Sequence, residues 1–478
     1  MGTGYKLPDL ETQFKDFSLR KEKELKSGVF AILGYAPKLK TAAYAKLTSL
    51  EDCSVLGHSM LADTCKDFFT YSVGTIYAIP IGERESSMVT TAGDKSKDAS
   101  YTLTITGGDD LYKPIDIKAT ISKGGTKDAA QFFLEYEGIK TKVMQVKEDS
   151  EIEIQDLGIK IKFSATSSYS YPEGSYVTYN LAPKLKNTQK GILAALESML
   201  AIEDYIEFLA LDINSKASDW QYIVSKLDHI STENKREFFV VMRFRNLAKD
   251  ETMDTYIEDL RKERKSSFTP SIKLLVLGQP VIYENYLGKA TRGIPFGIFL
   301  GKLSSTLYYG SLSEVLNNEG RVRGIIGLSS DVTLTHVKQI AQLGYTGFRN
   351  VEGFKGVYVT EARLFSPDES DYDCVERTRV MYRAEYILRR ELVGNFLNRN
   401  LDISAVEGED SFTVLIKESC KKAIEKHMSG SYSDFTIEVQ TQGSLLQEGI
   451  IVIKLAIVPL GKIRYMKNEF RFSLPKAS

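Results

Sequence analysis

Most sequence signatures of catalysis are missing from this chain. Its four histidines, His58, His229, His336 and His427, are widely spaced, so no HxxxH or HExxH pair exists and a helical zinc site has no ligands. Its four cysteines, Cys53, Cys65, Cys374 and Cys420, contain no CxxC pair and read as reduced, mostly buried thiols. There is no GxxxxGK[ST] loop, and Gly344, Gly347, Gly353 and Gly356 do not fit GxGxxG; they read as turn glycines that permit positive φ. The nearest thing to a nucleophile elbow, Gly57-His58-Ser59-Met60-Leu61, has leucine where the tight strand–helix turn requires a second glycine, which argues against a catalytic Ser59. Nothing singles out a pair of catalytic carboxylates. No catalytic, cofactor-binding or metal-binding residue is nominated, and no cofactor is expected.

An excess of charge is lacking too. The 62 basic and 63 acidic residues leave a net charge of -1, which argues against a dedicated nucleic-acid binder or a polybasic membrane anchor. Weak self-repulsion suits dense packing against further copies of the same chain. Apolar runs such as Ile450–Ile453 are far too short to cross a bilayer. The opening MGTGYKLPDLETQFKDF has no apolar segment of signal-peptide type, so a cytosolic protein is expected unless a specialised machine exports it.

What is present is a 478-residue chain, 42% hydrophobic and 26% charged, long enough for several domains at roughly 100–200 residues each. Residues 1–28 are polar and read as an extended arm. Strand-like GVFAILGYAP (28–37) and GTIYAIPIG (74–82) flank a helical pattern at 59–73 carrying Leu61, Cys65, Phe68 and Phe69. From about residue 96 to 186 the texture becomes short alternating runs (YTLTIT, IDIKATIS, AQFFLEYEG, EIEIQ, IKIKFS, SYVTYNL) separated by glycine turns, which predicts an inserted β-sandwich-like module of six or seven strands. Alternating strands and helices then resume, with strands at 205–213, 238–245 and 272–278. Residues 29–95 and 187–345 thus read as one discontinuous α/β domain.

Residues 346–461 read as α+β: two strand pieces in 352–365, a helix from Cys374 to about Leu397, a second helix over 412–428, a half-buried strand at 435–441 and a strand apolar on both faces at 449–458. The first helix has an apolar stripe of Met381, Ala384, Leu388, Leu392 and Phe396. Its basic residues Arg377, Arg379, Arg383, Arg389 and Arg390 allow two readings: a solvated face with local ion pairs to Glu376, Glu385 and Glu391, or a basic surface that docks an acidic partner. Residues 462–478 form a final aromatic strand after Pro459. Such a strand completes a sheet edge either in its own subunit or in a neighbour. The fold class is therefore α+β multidomain: a layered α/β core, an inserted all-β domain and an α+β C-terminal domain with extended terminal arms.

The stretch VTLTHVKQIAQLGYTGFRN (332–350), the following GFKGVYVTEARLFSPDESDYDCVERTRVMYRAEYILRREL and the ending IVIKLAIVPLGKIRYMKNEFRFS resemble the sheath proteins of contractile phage tails and related injection machines. The segment ITGGDDLYKPIDIKATISKGGT, with QFFLEYEG and IQDLGIKIKFS before the helix GILAALESML, is similar to a sheath-like subfamily once catalogued only as a domain of unknown function.

This resemblance, which spans about residues 29–475, implies a structural subunit rather than an enzyme. Hexameric rings would stack around an inner tail tube, and N- and C-terminal arms would exchange strands with neighbours. Contraction would follow without nucleotide. Implied partners are copies of itself, the tube protein and the baseplate and terminator proteins, with no nucleic acid and no membrane insertion. Assembly in the bacterial cytoplasm and a mature place in a virion tail or injection-machine sheath are likewise implied. Tube-facing candidates are Arg377, Arg379, Arg383, Arg389 and Arg390, or Lys417, Lys421, Lys422 and Lys426. The exchanged strand would present Ile463, Tyr465, Met466, Phe470 and Phe472. Two other classes remain open: a baseplate or tail-tip protein with a β receptor-binding module, and a hydrolase with an inserted carbohydrate-binding domain, which the single Trp220 disfavours.

Overall fold

The computed structural model describes residues 28–463, except 40–41, 82–83, 109–110, 127–128, 149, 166–170, 186–188, 249, 267, 398–408 and 443–449. The first of three hydrophobic cores surrounds a six-stranded sheet in the order Leu274–Leu277, Val240–Arg243, Phe208–Asn214, Phe30–Tyr35, Ile76–Ile81, Ala45–Leu47. The first five strands are mutually parallel and the short last one is antiparallel. Runs such as Phe30–Tyr35 and Leu274–Leu277 are buried at every position, because helices cover both faces of a parallel sheet. These helices include α1 (Met60–Tyr71), α2 (Gln189–Leu200), α3 (Ala217–Asn234), α4 (Met253–Lys265), α5 (Phe296–Ser305) and α6 (Leu334–Gln342).

The second core belongs to strands between Arg84 and Leu185. Arg84–Lys95, Tyr176–Leu185, Ile115–Lys123, Gln131–Tyr136 and Ile139–Lys140 lie side by side, with Met144–Gln145 also on Gln131–Tyr136. Ile152–Ile154, Ile159–Ala165 and Tyr101–Gly107 form another sheet. Alternation puts Ile115, Ile117, Ala119 and Ile121 inside. At the centre are Phe132 and Phe163, with ring centroids 4.7 Å apart, and Tyr101 and Tyr171, 5.3 Å apart. Arg84–Lys95, read from sequence as part of the α/β stretch, pairs along Tyr176–Leu185. The strand count also exceeds the expected six or seven, because two-residue strands at 139–140 and 144–145 are too short to leave an alternating pattern.

The third core lies between α7 (Val375–Asn395), α8 (Glu409–Met428) and an antiparallel pair of strands, Tyr432–Gln442 and Ile450–Pro459. The interval 352–365, expected to hold two strand pieces, contains only Tyr358–Val359 as a strand, paired with Phe348–Arg349. Single backbone bonds lay this region along the parallel sheet instead: Thr346 N donates to Val276 O at 2.9 Å and Phe365 N to Leu274 O at 2.8 Å. Tyr345, Phe348 and Phe365 therefore belong to the first core, although Phe348 and Phe365 lie in the C-terminal region drawn from sequence.

Candidate assembly surface

The residues weighed and set aside for chemistry in the sequence have structural roles here. Ser59 is the N-cap of α1: its Oγ accepts from Ala62 N at 3.0 Å and donates to Leu56 O at 2.8 Å. His336 reaches Asp254 at 3.2 Å and sits in a capping box with Thr333, and His58 Nδ1 lies 3.2 Å from Glu137. The four cysteines are free and buried, and burial pushes the Cys53 and Cys374 thiols up to about 12, far from a reactive thiolate. Trp220 is fully buried and donates to Ser215 Oγ at 2.8 Å, so it offers no sugar platform. Among the described residues no group of three or more His, Cys, Asp or Glu could hold a metal ion. No helix there is long and apolar enough to cross a membrane.

The strand order reverses between Phe30–Tyr35 and Phe208–Asn214, where open parallel sheets usually bind ligands beyond their C-terminal ends. Here that place is closed. Asp212, 1% exposed, accepts from Thr64 Oγ1 at 2.6 Å and from Arg243 Nε at 2.8 Å, and Arg243 also donates to Asn214 at 2.7 Å.

Beside this closure the β insertion is latched to α1. Lys113, 4% exposed, donates to both oxygens of Asp63 at 2.7 and 2.8 Å and pairs with Glu137. Burial alone would raise the Glu137 carboxyl, but hydrogen bonds from His58 and Lys113 hold it down at about 2. Asp67, which accepts the Tyr286 N–H at 2.8 Å, is pushed up to about 7 by burial, with Asp63 and Asp212 adding to the shift.

A folded-state pKa of about 7 against 3.8 in the unfolded chain means that folding takes up a proton there. The favourable contribution is full below 3.8 and is lost as pH rises through 7. Asp67→Asn keeps an acceptor for Tyr286 and abolishes the titration. It should raise the unfolding midpoint at pH 8, by up to about 4 kcal/mol in free energy, with a gain that shrinks toward pH 4. Equal gains at both pH values would contradict this.

The arginine face of α7 is divided by the fold. Arg379 and Arg383 are 1% and 6% exposed, so neither supplies the surface charge expected of them. Arg379 Nε binds Glu207 Oε1 at 2.7 Å, and its Nη2 donates to Thr306 O at 3.1 Å; the Arg383 guanidinium lies 4.4 Å from the Tyr308 ring centre. The cause is that α7 packs on two cores: Val375 and Tyr382 face the first, Ala384, Ile387 and Leu388 the third. Arg377 and Arg389 are half-buried and Arg390 is exposed. Of the acids in the local ion-pair reading, Glu376 pairs with Lys462 at 2.8 Å and Glu391 accepts hydrogen bonds from Asn395 at 2.8 Å and from Ser419, while Arg377 pairs with Asp373 at 3.3 Å.

On α8 the four nominated lysines, Lys417, Lys421, Lys422 and Lys426, are all exposed, opposite the buried Ile416, Cys420 and Ile424. The strands Tyr432–Gln442 and Ile450–Pro459 form a sheet of only two, so both outer edges lack a partner strand among the described residues. Ile451, Ile453, Leu455 and Ile457 pack on the helices. The other side, read from sequence as apolar too, carries Lys454 and leaves Ile450, Val452 and Val458 at 43%, 36% and 53% exposure. Ile463, at 80% exposure, is the last described residue; Tyr465, Met466, Phe470 and Phe472 lie outside the described residues.

No curated protein matches the chain in sequence. Among solved structures, the helical sheath of the anti-feeding prophage in its contracted state is 10% identical, with a TM-score of 0.55 over 98% of this chain and 99% of that one. A chain of the six-fold symmetrised baseplate of the same prophage is 10% identical, with a TM-score of 0.53 over 98% and 100%. The contracted PVC sheath complex of an extracellular contractile injection system is 10% identical, with a TM-score of 0.51 over 97% and 98%. The fold is thus that of contractile sheath proteins. The family described as DUF2586, N-terminal domain, matches residues 9–363, well over half of the sequence, and the chain belongs to that family.

Proposed function

We propose that this chain is the sheath subunit of a contractile tail or injection machine, polymerising as stacked hexameric rings around an inner tube. The observation that carries the reading is the two-stranded sheet with open edges. Exposed strand edges ordinarily have to be blocked or used, and β-augmentation by arms of neighbouring copies uses them. The arms are residues 1–28 and 462–478, the latter bringing Tyr465, Met466, Phe470 and Phe472. Paired strands survive rotation of the bodies they join, so contraction leaves the mesh intact. The inserted β domain faces outward, where its bulk does not obstruct packing, and residues 346–461 face inward. A closed ligand crevice and buried thiols favour a non-enzymatic role.

The tube contact must release on firing, which suits exposed charge pairs worth up to about 1 kcal/mol each. The lysine face of α8, with Arg390, meets that requirement. Purified protein should sediment as a polymer. Reversing Lys417, Lys421, Lys422 and Lys426 to glutamate should keep the fold but abolish assembly on the tube. A discrete trimer or hexamer would favour a tail-tip role, and normal assembly of the reversed variant would remove α8 from the tube interface.

A further inference from the structure

A cleft of about 320 Å³ opens between the loop 200–206, the turn 235–238 and the α7 residues Tyr382, Glu385, Tyr386 and Arg389. Tyr205 and Tyr386, with ring centroids 4.3 Å apart, form one wall. Tyr382, 8% exposed, also lines the cleft, although its hydroxyl is buried and has no hydrogen-bond partner among the described residues. Arg236 donates only to the carbonyls of Leu200 and Ile202, each at 3.2 Å, and Arg389 reaches Asn234 O at 3.5 Å; neither has a carboxylate within ion-pair distance among the described residues. Two of the lining carboxylates are already engaged, Asp204 by Lys46 at 2.9 Å and Glu237 by Lys273 at 3.1 Å. Glu203 and Glu385 line the cleft as well, and burial pushes the Glu385 carboxyl up against the opposing pull of Arg389.

The same subunit carries a complementary feature elsewhere. The turn after Pro367 exposes Asp368, Glu369 and Asp371, with Glu369 held at φ 62, an uncommon conformation for a side-chain-bearing residue. The turn is braced by its own bonds, Ser370 N to Pro367 O at 3.3 Å and Tyr372 N to Ser370 Oγ at 3.2 Å. Asp368 and Glu369 have no partner among the described residues.

We propose that the cleft between Tyr386, Arg236 and Arg389 receives the acidic Asp368–Asp371 turn of a second copy of this chain. A carboxylate there meets two guanidiniums in a partly desolvated site. Cleft and turn are different patches, so the contact is head-to-tail, the kind that propagates into rings or helices. The proposal rests on the self-assembly reading and names one of its interfaces.

The test compares sedimentation of three full-length variants, Arg389→Glu, the pair Asp368→Lys with Glu369→Lys, and all three changes together, each checked for an unchanged melting temperature. Each single-side reversal should raise the concentration needed for polymerisation by about tenfold or more, and the combined reversal should bring it back toward wild type. Arg389→Gln serves where Arg389→Glu fails to fold. In parallel, a peptide of residues 366–373 is titrated into wild-type and Arg389-substituted protein; saturable binding to wild type alone supports the proposal. Wild-type assembly in both single-side variants, no binding of the peptide, or equal binding to both proteins overturns it. A wild-type chain that fails to polymerise sinks the assembly reading, and the peptide titration still judges the cleft.

Discussion

Arg379→Met should destabilise the protein by roughly 3–5 kcal/mol, the largest effect expected of any single charge in the chain. Arg379 and Glu207 are both 1% exposed and 2.7 Å apart. The other Glu207 oxygen accepts the Gly28 N–H at 2.6 Å, and Gly28 adopts φ 79 where a Cβ would run into the Ser304 carbonyl. Four parts of the molecule meet at this carboxylate: the start of the first strand, the approach to Phe208–Asn214, the end of α5 and the first half of α7. Methionine fills the volume but leaves a buried charge with one remaining partner and the carbonyl of Thr306 without its donor. Adding Glu207→Gln should recover part of the loss, because the uncompensated charge rather than missing packing is the main cost. Arg390→Met, at an exposed position, should stay within about 0.5 kcal/mol. A urea midpoint for Arg379→Met equal to wild type would contradict this account of how the helix is anchored.

Removing residues 464–478 should leave folding intact and abolish polymerisation. Ending at Ile463 keeps the Lys462–Glu376 ion pair at 2.8 Å, so the body of the molecule loses none of its described contacts. What it loses, on the proposed reading, is the strand that completes a neighbour's sheet. Such a strand gains roughly 0.5–1.5 kcal/mol for each net hydrogen bond and about 1.5–3 kcal/mol for each aromatic it buries. Repeated at every subunit, that sum decides between polymer and monomer. The truncated protein should keep its melting temperature and stay in the supernatant where full-length protein pellets. Pelleting at the same concentration would show that these residues are dispensable.

The layered sheet was legible because most of its strands are short, largely apolar runs separated by amphipathic helices. The helices α7 and α8 were legible from their apolar spacing. Burial of Arg379 and Arg383 was not, since periodicity reveals one apolar stripe and is silent about a helix wedged between two cores through arginines whose partners lie 172 residues away in the case of Glu207. The small sheet of Val281–Glu284, Ala290–Gly293 and Ile325–Gly327 left no readable signal, as its three- and four-residue strands mix polar and apolar positions. The strand Ile450–Pro459 reads as apolar on both faces, yet in the single subunit Val452 and Val458 on the side of Lys454 are exposed. That mismatch is what a surface covered only in an assembly would produce. The latch of Lys113, Asp63 and Glu137 joins residues distant in sequence, and charge type alone could not single it out.

The most direct test of the central claim is negative-stain electron microscopy of the purified full-length protein beside the protein ending at Ile463. The sheath reading requires long hollow tubes from the former and none from the latter. Discrete single particles or small closed rings from both would contradict it.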